Sequence, residues 1–364
     1  MREYHFSEYR GDDEEDLIAQ MENLLERLKD YLFLTDGDVR EALEMMKEAG
    51  EFGEGEEADQ MVEQILKMME QSDLVDSEGK VKRLSENGLR LLSEKTLEEL
   101  LSSIQKSHSG HHETVHKGMG DVFNYETRPW AFGDHLDLDI SRTFQNAFIR
   151  RGIGFPIDLE REDLEIIESE HQSQCATVLM LDISHSMILY GEDRFTPAKK
   201  VALALAHLIR TRYPQDSLSV LLFFDDAREI PLHDLISCQV GPYYTNTKAG
   251  LALAQRILSR TQSENKQIIM ITDGKPSAIW HQGQIVRHSW WDPWIISETL
   301  REAEKCRAKR ISINTFMLAR DYALMEFVHK QTQITRGKAY FTSPQTLGQY
   351  LLVDYMNQRR RSNR

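Results

Sequence analysis

Three short stretches of this chain put oxygen-bearing side chains where one ion could meet them. Asp182-Ile183-Ser184-His185-Ser186 closes an apolar run, Thr245-Asn246-Thr247 lies just ahead of a helical stretch, and Thr272-Asp273-Gly274 closes a second apolar run. In the first stretch the alternate positions Asp182, Ser184 and Ser186 can point one way while Ile183 and His185 point elsewhere. Carboxylates and hydroxyls with open water positions suit a hard cation, Mg²⁺ or Mn²⁺, rather than zinc. Few charged donors leave such an ion under-neutralised, so it stays a strong Lewis acid open to one more anionic oxygen.

The elements that must position these residues are legible after Gln174. Apolar runs of strand length (Ala176–Leu181, Leu218–Phe224, Gln267–Thr272, Ile311–Leu318 and a short Ala339–Thr342) alternate with helical stretches at Pro197–Arg212, Lys248–Arg260, Ile295–Lys309, Tyr322–Thr332 and Pro344–Gln358. Near-continuous apolar strands are what a parallel sheet covered on both faces requires. Ala227–Leu232 reads as a short edge strand hairpinned to the second run. Ligands of such sheets bind outside the carboxyl ends of the strands, which is where the acidic stretches fall.

Asp-x-Ser-x-Ser after a strand, a downstream threonine and a strand-end Thr-Asp-Gly resemble the metal-ion-dependent adhesion site of von Willebrand factor A (VWA) domains, over about residues 174–358. The resemblance implies a Rossmann-like α/β VWA domain with Mg²⁺ as cofactor. It implies Ser184 and Ser186 as direct ligands, Thr245 as direct or water-mediated, and Asp182 and Asp273 acting often through water, with a partner's Asp or Glu in the last place. The family threonine often follows Gly-Gly, whereas Gly241-Pro242-Tyr243-Tyr244 precedes Thr245 here; Thr245 is chosen by its distance from the helix, and Thr247 reads as the helix cap. The wider layout is similar to the bacterial cytosolic CoxE-like proteins and chelatase D subunits, which implies a MoxR-type AAA+ ATPase and its client as partners. No Walker A pattern occurs, so ATP hydrolysis would come from another chain.

The 364 residues, 40% hydrophobic and 28% charged, suit a globular protein of roughly two domains. Cys175, Cys238 and Cys306 are odd in number and form no CxxC pair, which fits a reducing compartment. With no apolar run long enough to span a membrane and no signal-like start, a cytoplasmic protein is expected. Residues 1–100 carry 29 acidic and 12 basic side chains, whereas the remainder is nearly neutral within a total of −15. That balance disfavours nucleic acid as a partner of the first part. Leu17 to Leu32, Val39 to Met46, and Met61, Ile65 and Met68 mark helices, with capping boxes read at Thr35/Asp38 and Thr96/Glu99. The expected order is therefore an acidic helical region (1–106), a linker or connector (107–173), the VWA domain (174–358) and a frayed basic tail (359–364) containing Arg359, Arg360, Arg361 and Arg364.

Several features read more plainly. His108, His111, His112 and His116 are expected to form a solvated loop, and Gly152-Ile153-Gly154 lacks the third glycine of a dinucleotide fingerprint. Asp225 and Asp226 read as a solvated turn. Trp290, Trp291 and Trp294 are expected to cover the sheet edge as core, with partner contact as the alternative. Lys275 to His288 reads as polar and turn-like. The expected function is a non-enzymatic, metal-dependent interaction module. The alternatives are an accessory subunit of a metal chelatase and a serine hydrolase using Ser184 or Ser186, although the latter lacks a GxSxG elbow.

Overall fold

A computed structural model describes residues 26–53, 55–76, 81–108, 127–131, 138–152, 157, 159–167, 174–288 and 290–362. It divides into two compact units, one comprising Met1–His108 with Gln174–Met356 and the other Ser109–Ser173 with Asn357–Arg364.

In the first unit the N-terminal helices are α1 (26–34), α2 (Val39–Glu48), α3 (Glu56–Gln71) and α4 (Glu86–His108). Asp38, not Thr35, caps α2 by accepting from the Arg40 and Glu41 amides, while Thr35 Oγ1 donates back to the Tyr31 carbonyl. The capping box read at Thr96/Glu99 is also absent: Thr96 sits inside α4 and donates to Leu92 O at 2.7 Å. The helix starts at Glu86, directly after Ser85, whose Oγ accepts the Gly88 amide. The α3 face that enters the core is Ala58, Val62, Leu66 and Met69, one position round from the expected stripe, so Met61 is exposed. Both stripes have helical spacing, and periodicity alone does not choose between neighbours. The part of the first expected helix before residue 26 lies outside the described residues.

The second unit holds β1 (Thr127–Pro129), α5 (Ile140–Arg151) and β2 (Glu165–Ile167), with β1 and β2 paired antiparallel. Asp139 caps α5 and Gly152, at φ 81°, ends it. Arg150 clamps Asp163 at 2.6 Å and holds its carboxyl down at about 2. The stretch read as linker thus includes folded elements; His111, His112 and His116 lie outside the described residues.

The remaining elements are β3 (Cys175–Asp182), α6 (Phe195–Arg212), β4 (Ser217–Phe223), β5 (Ala227–Ile230), α7 (Thr247–Ser259), β6 (Asn265–Thr272), β7 (Ala278–His281), β8 (Gln284–Arg287), α8 (Pro293–Ala308), β9 (Ile311–Met317), α9 (Tyr322–Thr335), β10 (Ala339–Phe341) and α10 (Leu347–Ser362). Six strands form one sheet in the order β10-β9-β6-β3-β4-β5, parallel throughout except for the β4–β5 edge hairpin. The chain leaves β3 toward β4 and β5, then returns to its other side with β6. That reversal opens a crevice between the carboxyl ends of β3 and β6. Alternate residues of β3 serve opposite faces: Leu179 and Leu181 pack with α6, α10 and the N-terminal helices, and Ala176, Val178 and Met180 pack with α7 and α8. This is the mixed α/β architecture expected, preceded by an all-helical region.

The polar stretch before the tryptophans contains a hairpin the sequence reading overlooked, β7–β8, whose turn residues Gln282 and Gly283 both have positive φ. Arg359 is likewise not part of a frayed tail: α10 continues to Ser362 and Arg359 is buried.

Helical region and sheet are joined by one buried cation. Lys199, on α6 and 2% exposed, ion-pairs with Asp36 at 2.9 Å and donates to the carbonyls of Ile236 and Cys238. Gln239 donates to the other Asp36 oxygen. Removing Lys199 leaves the Ile236 and Cys238 carbonyls without their donor and the half-buried Asp36 without its counter-ion. Lys199→Ala is therefore expected to cost about 1–3 kcal/mol, read as a lower urea midpoint at unchanged m-value, with the helical region and the sheet still unfolding in one transition. A loss below about 0.5 kcal/mol would show the pair to be no more than a surface contact.

Candidate functional site

Two carboxylates stand at the floor of the crevice because β3 and β6 run parallel and in register, Leu181 opposite Ile271. Asp182 closes β3, and its Oδ1 accepts the Ser184 amide at 2.9 Å, the Asx turn that lifts the chain off the strand. Its Oδ2 accepts Thr272 Oγ1 from the neighbouring strand end at 2.6 Å. Thr272 Oγ1 in turn accepts the Gly274 amide, which fixes the turn carrying Asp273.

The hydroxyls form a chain across the site. Thr245 Oγ1 donates to Ser184 Oγ at 3.0 Å, Ser184 and Ser186 oxygens lie 3.1 Å apart, and Ser186 donates to Asp273 Oδ1 at 2.6 Å. A hydroxyl oxygen has two lone pairs, so each member of this chain keeps acceptor capacity for something in the crevice. Thr245 rather than Thr247 belongs to the chain. Thr247 is instead the first residue of α7, and Asn246 caps the helix by accepting the Ala249 amide. All five residues singled out from the sequence, Asp182, Ser184, Ser186, Thr245 and Asp273, are brought together here.

Sequence reasoning missed the residues that hold these ligand candidates in place. Asp225, read as a solvated turn, accepts the Tyr244 amide at 3.0 Å and pairs with Arg287 of β8 at 2.7 Å, while the Asp225 carbonyl accepts from Asn246. Ser277 Oγ accepts the Thr245 amide and the Ser277 amide donates back to Thr245 O. The Thr245 loop is therefore tied to the sheet edge on one side and to the segment after Asp273 on the other. Asp-Asp at a strand end was the available signal; Arg287, 62 residues away, had none.

A second missed residue is Arg194, just ahead of α6. Its guanidinium meets Asp273 Oδ2 at 2.6 Å and also Glu192. Burial first, then the adjacent Asp273 charge, pushes the Asp182 carboxyl up; burial also pushes Asp273 up, against the opposing hold of Ser186 and Arg194. Holding both as anions therefore costs stability as pH rises through their raised titration range, about 7 for Asp182, and the cost disappears as pH falls and they protonate. A positive charge placed between them relieves it.

The tryptophans split. Trp291 packs on the Ile296–Met317–Leu324 cluster beneath Lys330, whereas Trp290 is 75% exposed and Trp294 edges onto His281. They are not uniformly core.

Above the oxygens lies an open cleft of about 630 Å³, walled by Leu189, Pro242, Tyr243 and Tyr244 and bordered by Arg194, Lys275 and Arg320. Gly274 defines the space at its floor. A Cβ there would stand 3.0 Å from Thr245 Oγ1, 3.1 Å from Ser186 Oγ and 3.9 Å from Asp182 Oδ2. Side-chain oxygens thus surround an atom-sized gap, and the donor set, two carboxylates and three hydroxyls, fits a hard divalent cation. Among the described residues no group of three or more His, Cys, Asp and Glu forms a metal cluster, and no helix is long and apolar enough to cross a membrane.

Sheet order, crevice and oxygen set together define an α/β domain of the von Willebrand factor A type. A family model described as the vWA domain of Rv0959-like proteins matches residues 175–356, and one for their third domain matches residues 123–169. The chain belongs to this Rv0959-like family. It is similar to "Uncharacterized protein Rv0959" of Mycobacterium tuberculosis strain H37Rv, 31% identical over 288 residues, covering 77% of this chain and 42% of that protein. "Uncharacterized protein Mb0984" of Mycobacterium bovis matches to the same extent. The chain thus spans 42% of the length of the curated relatives it matches. Among solved structures it is similar to the pilus adhesin SpaC from Lactobacillus rhamnosus GG, with 16% identity, TM-score 0.41, and 52% of this chain and 30% of that one covered. The D319A mutant of the PilB minor pilin from Streptococcus sanguinis gives 13% identity, TM-score 0.43, and 54% and 64% coverage.

Gly274→Ala puts a methyl into the gap, against Thr245 Oγ1 and Ser186 Oγ, without removing a ligand oxygen. Its melting temperature should stay within a few degrees of the parent, while Mn²⁺ affinity by isothermal titration falls at least tenfold; undiminished affinity would place any ion elsewhere.

Proposed function

We propose that the protein is a non-enzymatic interaction module that uses Asp182, Ser184, Ser186, Thr245 and Asp273 to hold Mg²⁺, with Mn²⁺ as a substitute, and captures a carboxylate from a partner protein. The observation that carries this reading is the linked set of hydroxyls and carboxylates around the gap at Gly274, on the floor of an open cleft. When bound, the ion supplies a Lewis-acid contact for an external carboxylate. The chain's own residues set how strongly that contact is wanted. Asp182 and Asp273 contribute two negative charges and Arg194 returns one positive charge, so the set holding a divalent ion is left one unit positive. That surplus favours an incoming anion, and closing the cleft over both charges strengthens their attraction by removing water.

Within this reading the partners are a MoxR-type AAA+ ATPase and its client, the chain helping remodelling, maturation or cofactor insertion. Support is indirect: the layout of a helical region before the A-type domain, and the lack of a Walker A motif in this chain. Work as an accessory subunit of a metal chelatase is the related alternative. A serine hydrolase is disfavoured by the site: Ser186 hydrogen-bonds to Asp273, and among the described residues no histidine side chain hydrogen-bonds to Ser184 or Ser186. His185 is exposed, and its amide is spent on Tyr243 O.

Two outcomes are expected. A pull-down from lysate in Mg²⁺ should retain a partner that EDTA or Asp182→Ala releases, with the far-ultraviolet circular dichroism of the variant unchanged; an unchanged dissociation constant in EDTA would falsify the metal bridge. Arg194→Gln should bind Mn²⁺ roughly tenfold more tightly without any partner, because one nearby unit charge is gone. Free Mn²⁺ followed by electron paramagnetic resonance reads this directly, and equal or weaker affinity would refute the charge count.

A further inference from the structure

The metal-binding reading leaves two cations of the cleft unused. Lys275 follows the Asp273-Gly274 turn and Arg320 follows β9, and both line the cleft with the site oxygens. Unlike Arg194, which is committed to Asp273 and Glu192, neither has an ion pair or hydrogen bond among the described residues. Asp321 lines the same cleft and accepts the Leu324 amide at the start of α9, without an ion pair to either cation. Ion pairs elsewhere around the sheet include Arg287 with Asp225, Lys248 with Glu298, Lys305 with Glu302 and Lys338 with Asp354. Two unpaired cations on one cleft give it local positive charge in a chain of net charge −15.

That net charge repels acidic ligands at long range, so a cleft meant for them needs its own positive potential. From these observations we propose that Lys275 and Arg320 form a second anionic subsite, and that the ligand is an extended segment of a partner protein carrying several acidic side chains. One carboxylate meets the metal-site oxygens' ion and another lies along the Lys275–Arg320 wall. In an extended strand alternate side chains fall on one side about 6.5–7 Å apart, so acids at every second position can address both subsites at once. Leu189, Pro242 and the exposed ring of Tyr243 line the same cleft and offer apolar contact to the segment. The inference deepens the metal reading and rests on it for the first carboxylate only; the second subsite is built from this chain's cations.

The test uses the full chain and two fluorescein-labelled glycine–serine heptapeptides, one with a single central aspartate and one with aspartates at three alternate positions. Fluorescence anisotropy in Mg²⁺ should give the triple-acid peptide about tenfold higher affinity, the product of two exposed ion pairs, and the advantage should shrink as salt is raised. In K275Q/R320Q the ratio between the peptides should collapse to about twofold or less, with the melting temperature retained. Equal affinities for the two peptides, a ratio unchanged in the double variant, or no binding of the triple-acid peptide at millimolar concentration would each overturn the subsite. Tighter binding of inorganic tripolyphosphate than of the peptide, lost in the double variant, would overturn the peptide assignment. Repeating the titrations in EDTA separates the two ideas. A triple-acid peptide that still binds the parent better than K275Q/R320Q keeps the subsite even if Mg²⁺ proves irrelevant, and Mg²⁺-dependent single-acid binding with no variant effect does the reverse.

Discussion

Two buried carboxylates held side by side are an unfavourable arrangement, and much of the domain's detail answers it. Asp182 and Asp273 end neighbouring parallel strands, so the sheet itself sets their separation and neither can retreat without breaking the ladder. Each is neutralised in part by donors placed for it: the Ser184 amide and Thr272 on one, Ser186 and Arg194 on the other. Satisfied hydrogen bonds reduce the penalty of burial but do not cancel the mutual repulsion. A site under that tension has a standing preference for positive charge, part of which Arg194 supplies.

Much of this was legible in the sequence because it depends on local pattern. Runs such as Ala176–Leu181 and Gln267–Thr272 are apolar on both faces because helices cover both sides, and the polar residues that end them mark the crevice. What stayed hidden depends on contacts distant in sequence. Nothing near Asp225 announces Arg287, and nothing near Asp273 singles out Arg194 from other arginines. The hairpin of β7 and β8 was overlooked because its strands are short and its turn is Gln282-Gly283 rather than Asn-Gly. Thr96 illustrates a different failure: a threonine followed three residues later by glutamate is a helix start only when no helix is already under way, and here one began at Glu86.

The charge asymmetry of the sequence suggested separate parts, yet the first helices and the sheet share one hydrophobic cluster, in which Leu32, Phe33 and Met46 sit with Val201, Leu205 and Leu351. Charge describes the solvated side of the helices and apolar spacing the buried side; only the latter decides what packs with what. Gly348 shows how close the approach is, since a Cβ there would meet Leu100 Cδ2 at 2.8 Å.

Lys199 turns this packing into a practical boundary. The residue lies little more than one turn beyond Arg194 on the same helix, and its counter-ion, Asp36, is supplied from far upstream. An expression fragment trimmed to the conventional limits of the α/β fold would leave an ammonium group stranded beneath two carbonyls and wet the apolar flank of α6. Whoever dissects this protein for biophysical work should cut upstream of the helical segment rather than at the first strand.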